Sequence, residues 1–86
     1  MREYEKVLKS LANRRRLEII KYLKEHDEAS VGEIAGKIKL SFKSTSRHLA
    51  VLLSADVIER NQRSVSAYYS LTSKQTLMAK NVISLL

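Results

Sequence analysis

Apolar residues along the chain recur first at helical and then at strand spacing. Tyr4, Val7, Leu8 and Leu11 fall at i, i+3, i+4 and i+7, one face of a helix over about 3–11. Leu17, Ile19, Ile20 and Leu23 supply the buried stripe of a second helix, and Asn13 stands where its cap is needed. The polar run Glu25-His26-Asp27-Glu28 predicts the exit. Ser30-Val31-Gly32-Glu33 fits a capping box, with Ile34, Ala35 and Ile38 as the inner face of a short third helix. Ser41 predicts the cap of a fourth. Lys39-Leu40-Ser41 is then the tight turn of a helix-turn-helix.

After Ala55 the period changes. Val57-Ile58-Glu59-Arg60 is short and β-prone, and Val65, Ala67, Tyr69 and Leu71 alternate with Ser66, Tyr68 and Ser70 as inward positions of a half-buried strand. Asn61-Gln62-Arg63-Ser64 is the expected hairpin loop. Ser73 is expected to cap a last helix over 73–86, with Leu77, Met78, Val82, Leu85 and Leu86 on its apolar side. The predicted order is α-α-α-α-β-β-α, mainly α with a small β-hairpin. There is no Pro and no low-complexity stretch, so a single domain over 1–86 is expected.

The fourth helix carries the most information. At 100° per residue, Thr45, Leu49 and Leu52 fall together, with Phe42 and His48 at the edges of that sector. Lys43, Arg47, Ala50 and Ser54 lie opposite, flanked by Ser44 and Ser46. Small residues let such a face sit deep in a DNA major groove. Lys43 and Arg47, one turn apart, can reach guanine O6/N7 or phosphate, and Ser44 and Ser46 can bond either. A solvated amphipathic face is the ordinary explanation of such a helix. Two observations favour DNA contact instead.

The first is charge. The formal net charge is +7 on 86 residues, which points to a polyanionic partner. The second is its distribution: residues 37–63 hold Lys37, Lys39, Lys43, Arg47, Arg60 and Arg63 against Asp56 and Glu59 alone. Arg60 and Arg63 flank the expected hairpin, where they can meet phosphate or a minor groove. Arg14, Arg15 and Arg16 sit at a helix N-terminus, an unfavourable place for positive charge, so either a phosphate contact or an intramolecular salt bridge is expected of them.

With these residues assembled, the chain resembles the arsenic-repressor-like (ArsR-type) winged helix-turn-helix regulators. The resemblance covers about residues 5–72. It rests on "LKSLANRRRLEIIKYL", "SVGEIAGKIKLSFKSTSRHLAVLLSADVIER" and "VSAYYSL". It implies a winged helix-turn-helix fold, a homodimer built from the first and last helices, and transcriptional repression. The helix over 41–55 would read DNA, and residues 60–64 would form the wing. Tyr4, Val7, Leu8, Leu77, Met78, Val82, Leu85 and Leu86 would then form the dimer interface. A two-fold dimer would address half-sites about one helical turn apart on a pseudo-palindromic operator.

Departures from the family pattern narrow the reading. Metal-sensing relatives carry Cys-x-Cys where this chain has Ser30 and Gly32, and no Asp, Glu or His follows Glu59. No metal site and no cofactor is therefore expected, and the absence of Cys excludes thiol chemistry. Asp56 stands where Gly often ends the reading helix, and Asp tolerates a left-handed backbone better than most residues. Phe42 takes a position that is usually polar. Packing on the preceding helix is expected of it, over contact with a thymine methyl.

His48 is expected to face the core and hold two helices together, and His26 to be solvated. No nucleophile elbow, phosphate loop or paired carboxylate suggests an enzyme, so no catalytic residue is assigned. A cytoplasmic regulator acting without a membrane is the expectation. A winged helix used for protein interaction, or for non-specific nucleic-acid binding, is the alternative.

Overall fold

The computed structural model describes residues 2–86. Its elements are α1 (Arg2–Leu11), α2 (Arg14–Glu25), β1 (Ala29–Ser30), α3 (Val31–Ile38), α4 (Phe42–Ser54), β2 (Ile58–Arg63), β3 (Ser66–Leu71) and α5 (Leu77–Ser84). The order is the predicted one with one strand added. β1 has two residues, too few to show a period, and pairs antiparallel with β3 through Ala29 to Tyr69 and Ser30 to Tyr68. The sheet runs β1-β3-β2.

Local capping sets the helix starts. The Asn13 side chain accepts the Arg16 amide, and the Ser41 hydroxyl accepts the Ser44 amide at 3.1 Å. At α3 both halves of the capping box form: Ser30 Oγ accepts the Glu33 amide at 3.3 Å, and Glu33 Oε1 accepts the Ser30 amide at 2.9 Å. Those bonds hold the Glu33 carboxyl below its ordinary value. Ser30 thus ends β1 and opens α3 at once. The turn into α4 passes through Lys39 in the left-handed region (φ 56°), and Asp56 ends α4 the same way (φ 57°).

One core underlies all of this. Ile19, Ile20, Ile34, Leu49, Leu52 and Val57 are fully buried, joined by Val7, Leu11, Leu23, Ile58, Tyr69, Ala79 and Ile83. Among the described residues, the Thr45 hydroxyl is buried within it without a hydrogen-bond partner. Such a group loses its water and receives nothing in return. Thr45→Val should therefore raise stability, by about 1 kcal/mol. Urea melts of the two proteins test this, and a lowered midpoint would mean the hydroxyl has a partner after all.

Two expectations, on the hairpin tip and on the last helix, are corrected. The strands of the hairpin run on to Arg63 and from Ser66, so the tip is Ser64-Val65 and not 61–64. Ser64 takes φ 56° there, and Val65 is 94% exposed because no strand lies opposite it. α5 starts at Leu77 with Thr76 as its cap, not at Ser73. Gln75 donates through its side-chain Nε2 to the Val57 carbonyl at 2.7 Å and the Thr72 carbonyl at 3.2 Å, which ties residues 73–75 to the end of the hairpin and out of the helix.

The inward face of α5 is Ala79 and Ile83, and α1 likewise splits into two stripes one helical turn long. Val7 and Leu11 point into the chain's own core, so Val7 is not available to a second copy. Tyr4 and Leu8 point outward and are half exposed. Met78, Val82 and Leu86 pack partly against the core, whereas Leu77 and Leu85 are 75% and 85% exposed. Among the described residues no helix is long and apolar enough to cross a membrane.

Candidate nucleic-acid interface

α4 lies across the core on Thr45, Leu49 and Leu52, which leaves Lys43 and Arg47 exposed on its outer face. Among the described residues neither cation makes a salt bridge. They are two positive charges one turn apart with no internal partner, aimed at solvent. Ser44 and Ser46 are half-buried beside them, as flanking positions should be.

The hairpin separates the two arginines that the sequence places together. Side chains alternate between the faces of a strand, so Ile58, Arg60 and Gln62 share one face of β2 while Glu59, Asn61 and Arg63 share the other. Arg60 faces a cleft of about 440 Å³ between hairpin and helices, whose lining includes Ser30, Phe42, Ser46, Gln62 and Val65. Its guanidinium donates to Gln62 Oε1 at 2.7 Å. Arg63 points the other way. It pairs with Glu28, and its guanidinium lies 4.1 Å from the centre of the Tyr68 ring. Of the expected contact residues, the structure brings Ser46 and Arg60 to one cleft, keeps Lys43 and Arg47 on the adjoining helix face, and places Arg63, exposed and paired with Glu28, on the opposite face of the hairpin.

Arg14 is exposed, and Arg15 and Arg16 have a structural explanation in which carbonyls, not carboxylates, are the main partners. Arg15 Nη1 donates to the Ile38 carbonyl at 2.6 Å, at the C-terminus of α3, and to Glu18 at 3.3 Å. Arg16 donates through Nε to the Ser10 carbonyl and through Nη2 to the Lys9 carbonyl at 3.1 Å, at the C-terminus of α1. Cations favour the negative end of a helix, so charge misplaced at the start of α2 is well placed for the ends of α1 and α3.

Arg16 Nη1 also lies 3.2 Å from His48 Nδ1 on α4. A guanidinium can only donate, so this ring accepts at Nδ1 and is neutral, with its proton on Nε2. Burial, then the charges of Arg16 and Arg15, lower the His48 pKa from its ordinary 6.5. His48 therefore braces α4 from within, next to Arg47, as its edge position predicts. His26 is exposed, caps the end of α2 and stacks on Tyr22 with ring centroids 4.2 Å apart.

Phe42 departs from expectation. It does not pack on α3: its side chain is 64% exposed at the first position of α4 and borders the cleft. Ile38 and Leu40 join the core from this turn, and Phe42 stands outside it. Nothing in the local pattern distinguishes the three.

Comparison with known proteins agrees with this geometry. Residues 13–60 match the family described as "Bacterial regulatory protein, arsR family". The chain is 35% identical over 69 residues to the transcriptional activator HlyU of Vibrio cholerae, covering 80% of this chain and 63% of HlyU, so it spans under two thirds of that relative's length. It superposes on the HlyU structure with a TM-score of 0.83 at 31% identity, covering 98% of this chain and 87% of that one. The arsenical resistance operon repressor of Bacillus subtilis is 29% identical over 75 residues, 87% of this chain and 71% of the repressor. The homodimeric winged helix-turn-helix DNA-binding domain of Mb0332 from Mycobacterium bovis superposes with a TM-score of 0.84 at 26% identity, covering 98% and 74% of the two chains. The fold is a winged helix-turn-helix, and the chain belongs to the arsR family of bacterial regulatory proteins, a family of transcriptional regulators and not of enzymes.

Proposed function

We propose that the chain is a sequence-specific double-stranded DNA-binding repressor, acting in the cytoplasm as a homodimer and released by neither metal nor thiol chemistry. The observation that carries this is the outer face of α4, where Lys43 and Arg47 stand exposed without salt-bridge partners among the described residues. Ser44 and Ser46 add hydroxyls beside them, and Arg60 extends the basic surface to the hairpin. α4 is the reading helix, with its first turn in the major groove, and the hairpin meets the adjacent backbone. Arg63 contributes by holding the hairpin against Glu28, not by contact.

The exposed Tyr4, Leu8, Leu77 and Leu85 support a dimer through α1 and α5. Met78, Val82 and Leu86 line its edge. Mb0332 is described as homodimeric, in keeping with this assignment. HlyU is described as an activator and the B. subtilis relative as a repressor. Repression is assigned here because occupancy of a promoter by such a dimer excludes other proteins without any further surface. Ser30 and Gly32 offer no thiolates, and among the described residues no group of three or more His, Cys, Asp or Glu could hold a metal.

Selection of bound duplexes from a random pool, followed by titration across a salt series, tests the whole reading. The expected product is an inverted repeat with half-sites about 10 bp apart. Its advantage over random duplex should persist as salt rises, and stoichiometric zinc, cadmium or arsenite should leave it unchanged. Loss of all preference with rising salt would mean purely electrostatic, non-specific binding. No binding even at low salt would make the domain a protein-interaction module.

A further inference from the structure

Phe42 is a large apolar side chain that the fold leaves outside. Of the other exposed apolar residues, Tyr4, Leu8, Leu77 and Leu85 lie on the terminal helices, Val65 sits on a turn, and Val51, less exposed than Phe42, lines a groove between α4 and α1. Phe42 opens α4, in the same turn as Lys43 and beside the cleft that Arg60 faces. We propose that Phe42 is a specificity residue that reads thymine, its ring packing on the 5-methyl group of one thymine in each half-site. The inference rests on the DNA-binding reading above and assigns it a base.

Position, chemistry and charge support it. The first residues of a reading helix approach base edges most closely. In the major groove the thymine methyl is the one apolar group on a base edge, and phenylalanine is among the side chains that recognise it. An apolar protein surface would not call for the cations around this ring, whereas Lys43, Arg47 and Arg60 suit phosphates on either side of the methyl. Phe42 therefore distinguishes thymine from cytosine at a position where the cations cannot.

The test uses the selected duplex with each thymine of one half-site replaced in turn by deoxyuridine, which removes only the methyl. Affinity is read by fluorescence anisotropy. At one position, deoxyuridine should weaken wild-type binding about fourfold, the worth of one buried methyl group. Phe42→Ala should bind thymine and deoxyuridine there equally, and Phe42→Leu should retain part of the preference. Arg47→Ala should bind more weakly overall yet keep the deoxyuridine penalty. Because Phe42 is exposed, its variants should melt with the wild type. A preferred duplex indifferent to every deoxyuridine, or a penalty that survives in Phe42→Ala, would overturn the thymine assignment while leaving DNA reading intact. Selection of no preferred duplex would overturn both.

Discussion

Replacing Arg47 with alanine is expected to lower affinity for the preferred duplex about tenfold or more, while Lys80→Ala on α5 changes it less than about twofold. Arg47 is exposed on the outer face of α4 with no salt bridge among the described residues, so its removal costs the fold little. The loss appears in binding. Its form distinguishes two contacts that geometry alone allows. A bidentate contact to guanine would erase the preference at one base pair, whereas a phosphate contact would weaken all duplexes alike and reduce the salt slope by about one. Anisotropy titrations at several salt concentrations, on the preferred and a scrambled duplex, separate the cases. Equal losses from Arg47→Ala and Lys80→Ala would mean that net charge, and not α4, governs binding.

What could be read from the residues in advance follows a physical division. Caps are local: Asn13, the Ser30–Glu33 box and Ser41 bond amides three residues away, and all form as their spacing predicts. The inward sector of α4 was legible because Thr45, Leu49 and Leu52 recur at helical period over about two turns. Asp56 was legible because few residues accept φ 57°.

What failed depends on distant partners. Ser73 and Thr76 are both good caps, and the choice between them goes with the distant Val57 carbonyl, which accepts from the Gln75 side chain. The arginine run pointed to a phosphate or a carboxylate. The partners of Arg15 and Arg16 are chiefly the carbonyl ends of α1 and α3, which only the packed fold brings within reach. Arg60 and Arg63 look equivalent along the chain until the strand register puts them on opposite faces. Packing is expected of Phe42 because apolar residues usually pack, yet it stands outside the core at the border of the cleft.

The Arg16 cluster predicts the largest effect on stability. Arg16→Met keeps the length and apolar stem of the side chain but removes the bonds to Lys9, Ser10 and His48. Hydrogen bonds to a charged group contribute roughly 1.5–3 kcal/mol each, but these three share one partly solvated donor and do not add. A net loss of about 2–3 kcal/mol is expected, which for a chain of this size lowers Tm by about 10–20 °C. The same variant should change the acid response. In the wild type the neutral His48 ring is favoured in the folded chain, its pKa lowered by burial and by Arg16 and Arg15. Unfolded chains therefore bind more protons just below 6.5: stability is intact above that value and falls as pH drops toward the lowered one. Removing Arg16 removes one of the two cations that oppose protonation, so the variant's stability should fall less between pH 7.5 and about 5.5, above the range where carboxylates titrate. Thermal melts at those two pH values measure both effects. A variant that melts within about 2 °C of the wild type would mean that water replaces the guanidinium at the end of α1. An acid response as steep as the wild type's would place the titrating group elsewhere than His48.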